Sequence, residues 1–88
     1  MKLYVGNLCY TMTEIGLDAL FSPHGRILKV NVIRAHYTRQ SKCFGYVQME
    51  DRREGLIAMR TLDGSSVNDR LLVVKEARPR DERFGLPW

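Results

Sequence analysis

Three aromatic residues at strand spacing carry the chemistry of this chain: Tyr4 in Leu3-Tyr4-Val5-Gly6-Asn7-Leu8, and Phe44 and Tyr46 in Lys42-Cys43-Phe44-Gly45-Tyr46-Val47-Gln48-Met49. Successive side chains of an extended strand point to opposite faces. Tyr4 therefore opposes Leu3 and Val5, and Phe44 and Tyr46 oppose Val47 and Met49. Each segment reads as a strand with one core face and one aromatic face, and two such strands can be neighbours in one sheet. Aromatic planes accept unpaired bases of any identity by stacking, and Lys42 adds a cation for phosphate. Single-stranded RNA is the ligand this combination fits. Single-stranded DNA has the same π faces and is the other nucleic acid the platform admits.

Polar residues extend the candidate site. Gln48 shares the parity of the rings and can hydrogen-bond a base edge or a ribose 2′-hydroxyl. Lys29, Asn31 and Ile33 fall on the open face of a second strand. Arg34, His36 and Arg39, together with Lys2, Lys29, Arg78 and Arg80, form a rim of groups that can neutralise phosphates, so binding should weaken with salt. Asn7 is assigned a structural task, its amide fixing the loop after the first strand. Nothing points to an enzyme. His24 sits in a Pro/Gly turn and His36 in a loop, and neither paired carboxylates nor a nucleophile–base spacing activates Cys9 or Cys43. Cysteine and histidine spacing suits no zinc site. No catalytic residue, metal or cofactor is expected.

Elements that could hold these residues follow from patterning. The 88 residues allow one domain, and a formal charge of +4 favours polyanionic partners. Two cysteines make no disulfide framework, and no apolar signal region or membrane-length run occurs, so an intracellular protein with no membrane partner is expected, cytoplasmic, or nuclear or plastid in a eukaryote. Thr13 caps a helix expected from Glu14 to Ser22, with Ile15, Leu17, Leu20 and Phe21 as its apolar face. Ser22-Pro23-His24-Gly25 breaks it. A strand follows from Arg26 to Arg34, with a bulge near Leu28 and Val30 and Val32 inward. A basic loop over 35–41 leads to the aromatic octamer. Asp51 caps a second helix whose Gly55, Ala58, Met59 and Leu62 form a buried stripe, and Asp63-Gly64 stops it. A turn at Asn68-Asp69 opens the last strand, Arg70 to Lys75. The order βαββαβ defines an α+β, ferredoxin-like sandwich: a four-stranded antiparallel sheet with two helices on one face. If Leu72 and Val74 face the core, Leu71 and Val73 lie on the open sheet beside Ile33. That apolar patch would be covered by the tail, by a second copy or by another protein.

At the aromatic strands the sequence resembles the RNA recognition motif family. Lys42, Phe44, Gly45, Tyr46 and Val47 match its long signature, whereas Cys43 stands where the family usually has Gly and Met49 where it usually has an aromatic. Both departures fall on the core-facing parity. Leu3 to Leu8 resembles the family's second signature, and the likeness runs from about Lys2 to Arg78. The resemblance implies a domain over 1–78 with the motif strands central, and the polar, non-periodic residues 79–88 read as a flexible tail. It implies a base on Tyr4, a base on Tyr46, Phe44 against the sugars between them and Lys42 at a phosphate. It further implies contacts from Lys75, Ala77 and Arg78 where the last strand ends. The expected function is non-catalytic binding of single-stranded RNA, as an RNA chaperone or post-transcriptional regulator. A protein-interaction or homodimerisation module using the same sheet face is the alternative.

Overall fold

The period-two pattern produces four main strands in the computed structural model, which describes residues 1–35 and 37–77. These are β1 (Lys2–Gly6), β2 (Ile27–Arg34), β3 (Ser41–Met49) and β6 (Val73–Glu76), antiparallel in the order β2-β3-β1-β6. The two aromatic strands are therefore central. Helix α1 (Glu14–Phe21), followed by a 3-10 turn over Ser22–His24, and helix α2 (Arg52–Leu62) pack on one face. The chain has the α+β, ferredoxin-like arrangement.

Register shows which residues share a face. Leu3 lies opposite Val47, Val5 opposite Gly45 and Val74, and Val47 opposite Val30. Leu3, Val5, Val32, Val47, Met49 and Val74 meet Leu17 and Phe21 of α1 and Ala58 and Leu62 of α2 in one core. Full burial of side chains such as Phe21 and Leu17 contributes about 1.5–3 kcal/mol each.

The helix starts follow their capping residues. The Thr13 hydroxyl accepts from Gly16 N at 3.2 Å, and Asp51 Oδ1 accepts from Arg53 N at 2.7 Å and Glu54 N at 3.1 Å. In α2 the predicted stripe is present: Gly55, Ala58 and Leu62 are buried and Met59 packs on the core. In α1 one expectation fails, because Ile15 is 83% exposed. Leu17 and Phe21, at i,i+4 spacing, are the buried residues of this helix, and Ile15 turns away from them.

Irregularities decide the rest. The expected bulge is at Leu28, where β2 takes two steps from Ile27 to Lys29 while β3 takes one from Met49 to Gln48. A second irregularity was not foreseen: between the pairs Val32–Gly45 and Arg34–Ser41, β3 advances four residues against two of β2. Within it Cys43 adopts φ 67°, the left-handed region that favours glycine. This corrects the core-facing parity assigned to Cys43, which is half-buried and outside the core, because a left-handed residue interrupts strict alternation.

The single last strand is also corrected. A small hairpin, β4 (Ser66–Val67) and β5 (Arg70–Leu71), turns through Asn68 and Asp69 at φ 53° and 63° before Leu72 leads into β6. Leu72 and Val74 are in the core as expected, but Leu71 and Val73 do not neighbour Ile33, since β6 and β2 are opposite edges of the sheet. The tail 79–88, with Arg78 and His36, lies outside the described residues.

Candidate nucleic-acid interface

On the sheet face opposite the helices, register aligns the predicted residues in rows. Tyr4 pairs with both Tyr46 and Lys75, and Tyr46 with Asn31, giving the row Lys75–Tyr4–Tyr46–Asn31. Lys2 and Lys29 both pair with Gln48, giving the row Lys2–Gln48–Lys29. Lys29, Asn31, Gln48 and Lys75 are all exposed. Face assignment is confirmed from the other side: Glu76, opposite the buried Leu3, turns to the helix layer and takes Arg52 of α2 in a two-point ion pair at 2.9 and 3.3 Å.

Phe44 joins the two tyrosines in a triangle of rings. Centroid separations are 5.8 Å for Tyr4–Phe44, 5.9 Å for Tyr4–Tyr46 and 6.4 Å for Phe44–Tyr46, with interplanar angles of 34°, 66° and 88°. Edge-to-face pairs of this kind hold one another by quadrupole attraction and keep ring planes at fixed tilts. The Lys2 ammonium lies 4.9 Å from the Tyr46 centroid, a cation–π contact. Tyr4 extends along its own strand over Gly6, where a Cβ would come within 2.8 Å of Tyr4 Cε1. The absence of a side chain at residue 6 is what lets this ring lie down.

Tyr46 departs from the open platform anticipated for it: it is 5% exposed, although it lies outside the core cluster. Tyr4 and Phe44 are half-buried. A base reaching Tyr46 must displace what lies against that ring, whereas Tyr4 and Phe44 retain accessible surface.

Other predicted residues are distributed unevenly. Lys42 is exposed but precedes the left-handed Cys43, so alternation no longer ties it to the face of Phe44 and Tyr46. Arg39 is exposed in the loop between β2 and β3 at φ 62°. Ala77 donates its backbone N–H to Lys2 O at 2.9 Å, so the chain leaves β6 beside Lys2. Arg34, expected in the phosphate rim, is engaged in an ion pair with α1. Its guanidinium grips Glu14 at 2.8 and 3.0 Å, and Val32 N donates to the same carboxylate at 3.0 Å. Those contacts, Arg34 foremost, hold the Glu14 pKa down to about 2 and clip α1 to the edge strand. Arg78, a predicted contact residue, lies outside the described residues.

The sequence reading missed Arg70. Its Nη2 donates to Asn7 Oδ1 at 2.7 Å and its Nε to Asn7 O at 3.2 Å, while Asn7 Nδ2 donates to Leu71 O at 2.7 Å. The structural role read for Asn7 is present, but its partner is the β4–β5 hairpin. Cys9 and Cys43 are free thiols, and the Thr11 hydroxyl, 3.1 Å from Cys9 Sγ, holds the Cys9 thiol below its ordinary pKa. Among the described residues no group of His, Cys, Asp and Glu could hold a metal ion, and no helix is long and apolar enough to cross a membrane.

A helix-free sheet face bearing three clustered rings, flanked by lysines and amides, is the surface that defines a known class of domain. The chain belongs to the RNA recognition motif family, whose model matches residues 3–73. It is 37% identical over 83 residues to "Putative RNA-binding protein RbpE" of Nostoc sp. (strain PCC 7120 / SAG 25.82 / UTEX 2576), covering 94% of this chain and 84% of that protein. Among solved structures it resembles the crystal structure of RNA Binding Protein PG1, with a TM-score of 0.86 and 38% identity over 90% of this chain and 98% of the other. It also resembles a Sex-lethal protein/RNA complex, with a TM-score of 0.81 and 29% identity over 86% of this chain and 47% of that one.

Proposed function

We propose that this protein binds single-stranded RNA without catalysis, through the aromatic face of its sheet, and acts on transcripts as a chaperone or post-transcriptional regulator. The observation that carries the reading is the ring triangle at mid-sheet, with all centroid separations at or below 6.4 Å, on the face away from the helices. Each stacked base contributes about 1–3 kcal/mol, so three at the upper end of that range reach micromolar affinity, and phosphate contacts add to weaker stacks. Tyr4 and Tyr46 each take a base and Phe44 packs against the sugars between them. Lys2, Lys29, Lys42, Lys75 and Arg39 supply charge to phosphates, Asn31 and Gln48 supply hydrogen bonds to base edges or ribose, and Ala77 and Arg78 continue the contact where the chain leaves β6. Membership of the family and the likeness to a structure solved as a protein/RNA complex support this reading. Two free cysteines support a reducing, intracellular setting.

The alternative of a homodimer or protein partner on the same face draws on the exposed apolar side chain of Leu71, at 62%. One titration separates the readings. A labelled single-stranded RNA, followed by polarisation at about 50 and about 200 mM salt, should bind saturably and weaken as salt rises, with poor competition by duplex RNA. Single-stranded DNA as competitor measures the contribution of the ribose hydroxyls. Absence of binding at both salts, with self-association that persists in high salt, would replace RNA binding by the dimer.

A further inference from the structure

Ile15 is the apolar residue of α1 that the core leaves out, and it lies 83% exposed. It does not stand alone. With Asp18 and Ala19 of α1 it lines one side of an open groove of about 610 Å³, whose other side is β2 at Ile27, Leu28 and Val30. Leu28, at the bulge, is 55% exposed, so two bare aliphatic side chains line the same groove. The groove also runs along an open sheet edge, since β2 is an outer strand. Glu14 caps the outward N–H of Val32 at 3.0 Å. Val30, two residues earlier, turns its N–H and C=O to the same side with no such cap among the described residues. An open edge beside paired aliphatic side chains is a surface that folded chains cover.

The segment 78–88 starts within reach of this groove. Ala77 is tied to Lys2, and Lys2 belongs to the row Lys2–Gln48–Lys29 that ends on β2. Four strands at about 4.8 Å spacing put the two sheet edges about 14 Å apart, while residues 78–88 span up to about 36 Å when extended. The segment carries Phe84, Leu86 and Trp88 for the apolar walls. It also carries Arg80 and Arg83 for Asp18, which is exposed and forms no ion pair among the described residues. The ring face offers these side chains less, because its rings already pack on one another and Tyr46 is 5% exposed.

We propose that residues 84–88 dock in the groove between α1 and the outer edge of β2, with the Trp88 indole against Ile15 and Leu28 and an arginine of the segment at Asp18. Docked there, the segment braces α1 to the edge strand beside the Glu14–Arg34 clip and leaves the ring triangle free. The inference does not depend on the RNA-binding reading, because the occupant is this chain itself.

Trp88 is the single tryptophan of the chain, so its fluorescence reports on this contact directly. In the dilute full chain its emission should be blue-shifted, and its quenching by acrylamide reduced, relative to the same chain in urea. Ile15→Asp/Leu28→Thr should move the emission to the value in urea and restore full quenching. Both sites are exposed and outside the core, and a cooperative thermal transition verifies that the variant folds. Ile15→Asp alone, on the helix surface, carries the same test should the double variant unfold. Asp18→Lys, which reverses the charge offered to the arginines, should raise quenching part of the way. Tyr4→Ala/Phe44→Ala should leave both readings unchanged. Native emission equal to that in urea overturns the proposal. So does release of Trp88 by the ring variant but not by the groove variants, which would put the segment on the sheet face. A blue shift that fades on dilution also overturns it, assigning the groove to the segment of a second copy.

Discussion

Asn7 and Arg70 close a polar clasp, with Arg70 Nη2 2.7 Å from Asn7 Oδ1 and Arg70 Nε 3.2 Å from Asn7 O. The amide of Asn7 completes it by donating to Leu71 O at 2.7 Å. Asn7 adopts φ 57°, a left-handed conformation that asparagine tolerates better than most residues. The clasp thus joins the end of a motif strand to the hairpin that precedes β6. Asn7→Ala should cost about 1–2 kcal/mol in a urea melt, combining lost hydrogen bonds with left-handed strain. Asn7→Gly, which relieves the strain but still lacks the amide, should cost less. Equal losses for the two variants would assign the whole effect to the hydrogen bonds.

Asn7 also shows what could be read from residues alone. Its type and place after an aromatic strand were enough to give it a structural task, yet nothing in the sequence joins it to Arg70, 63 positions away. The same division runs through the molecule. Strand parity gave Tyr4, Tyr46 and Asn31 their shared face, because period-two alternation is a local property. It failed at Cys43, where a backbone irregularity resets alternation, and for Leu71 and Ile33, whose separation depends on strand order. Helix periodicity found Leu17 and Phe21 but added Ile15, since a short helix has room for only a narrow buried stripe. The burial of Tyr46 is likewise tertiary. Parity could place its ring on a face but could not say how much of it stays accessible.

The Tyr4 ring depends on Gly6. A methyl group at residue 6 would fall within 2.8 Å of Tyr4 Cε1 and 2.9 Å of Cζ, so Gly6→Ala must turn the ring away. Because the ring is not part of the core, the fold should survive with a change in stability of about 1 kcal/mol or less. RNA affinity should fall by up to one stacking contribution, about 1–3 kcal/mol. Polarisation titration beside a thermal melt checks both halves. Unchanged affinity in a folded Gly6→Ala protein would remove Tyr4 from the stacking surface.

Cys43 offers a gain in stability. At φ 67° an L-residue carries about 1–2 kcal/mol of strain, while glycine pays up to about 1 kcal/mol in chain entropy. Cys43→Gly should therefore stabilise the domain by about 0.5–1 kcal/mol, and it restores the residue usual in the family's signature. Cys43→Ala, which keeps the Cβ and its strain, should not stabilise. A chemical melt showing both variants equally stable would mean that β3 relaxes around Cys43 at no cost.

Glu14 predicts a pH dependence of folding separate from RNA binding. Its carboxylate accepts from Arg34 at 2.8 and 3.0 Å and from Val32 N at 3.0 Å, and its pKa falls from an ordinary 4.5 to about 2. A carboxylate whose pKa is lowered by folding binds protons more readily in the unfolded chain. Stability therefore rises with pH across the window between the two values. The contribution is complete above about pH 4.5 and is lost as pH falls toward 2. With the Glu14 side chain 40% exposed, solvent screening reduces its worth at neutral pH to about 1 kcal/mol. Glu14→Gln should be less stable by that amount near neutrality and should lose less further stability on acidification, so the two curves converge at low pH. Parallel curves down to pH 2 would show that the clip between α1 and β2 contributes nothing through its charge. Because this clip lies on the helix side of the sheet edge, RNA affinity of the variant should match wild type at neutral pH.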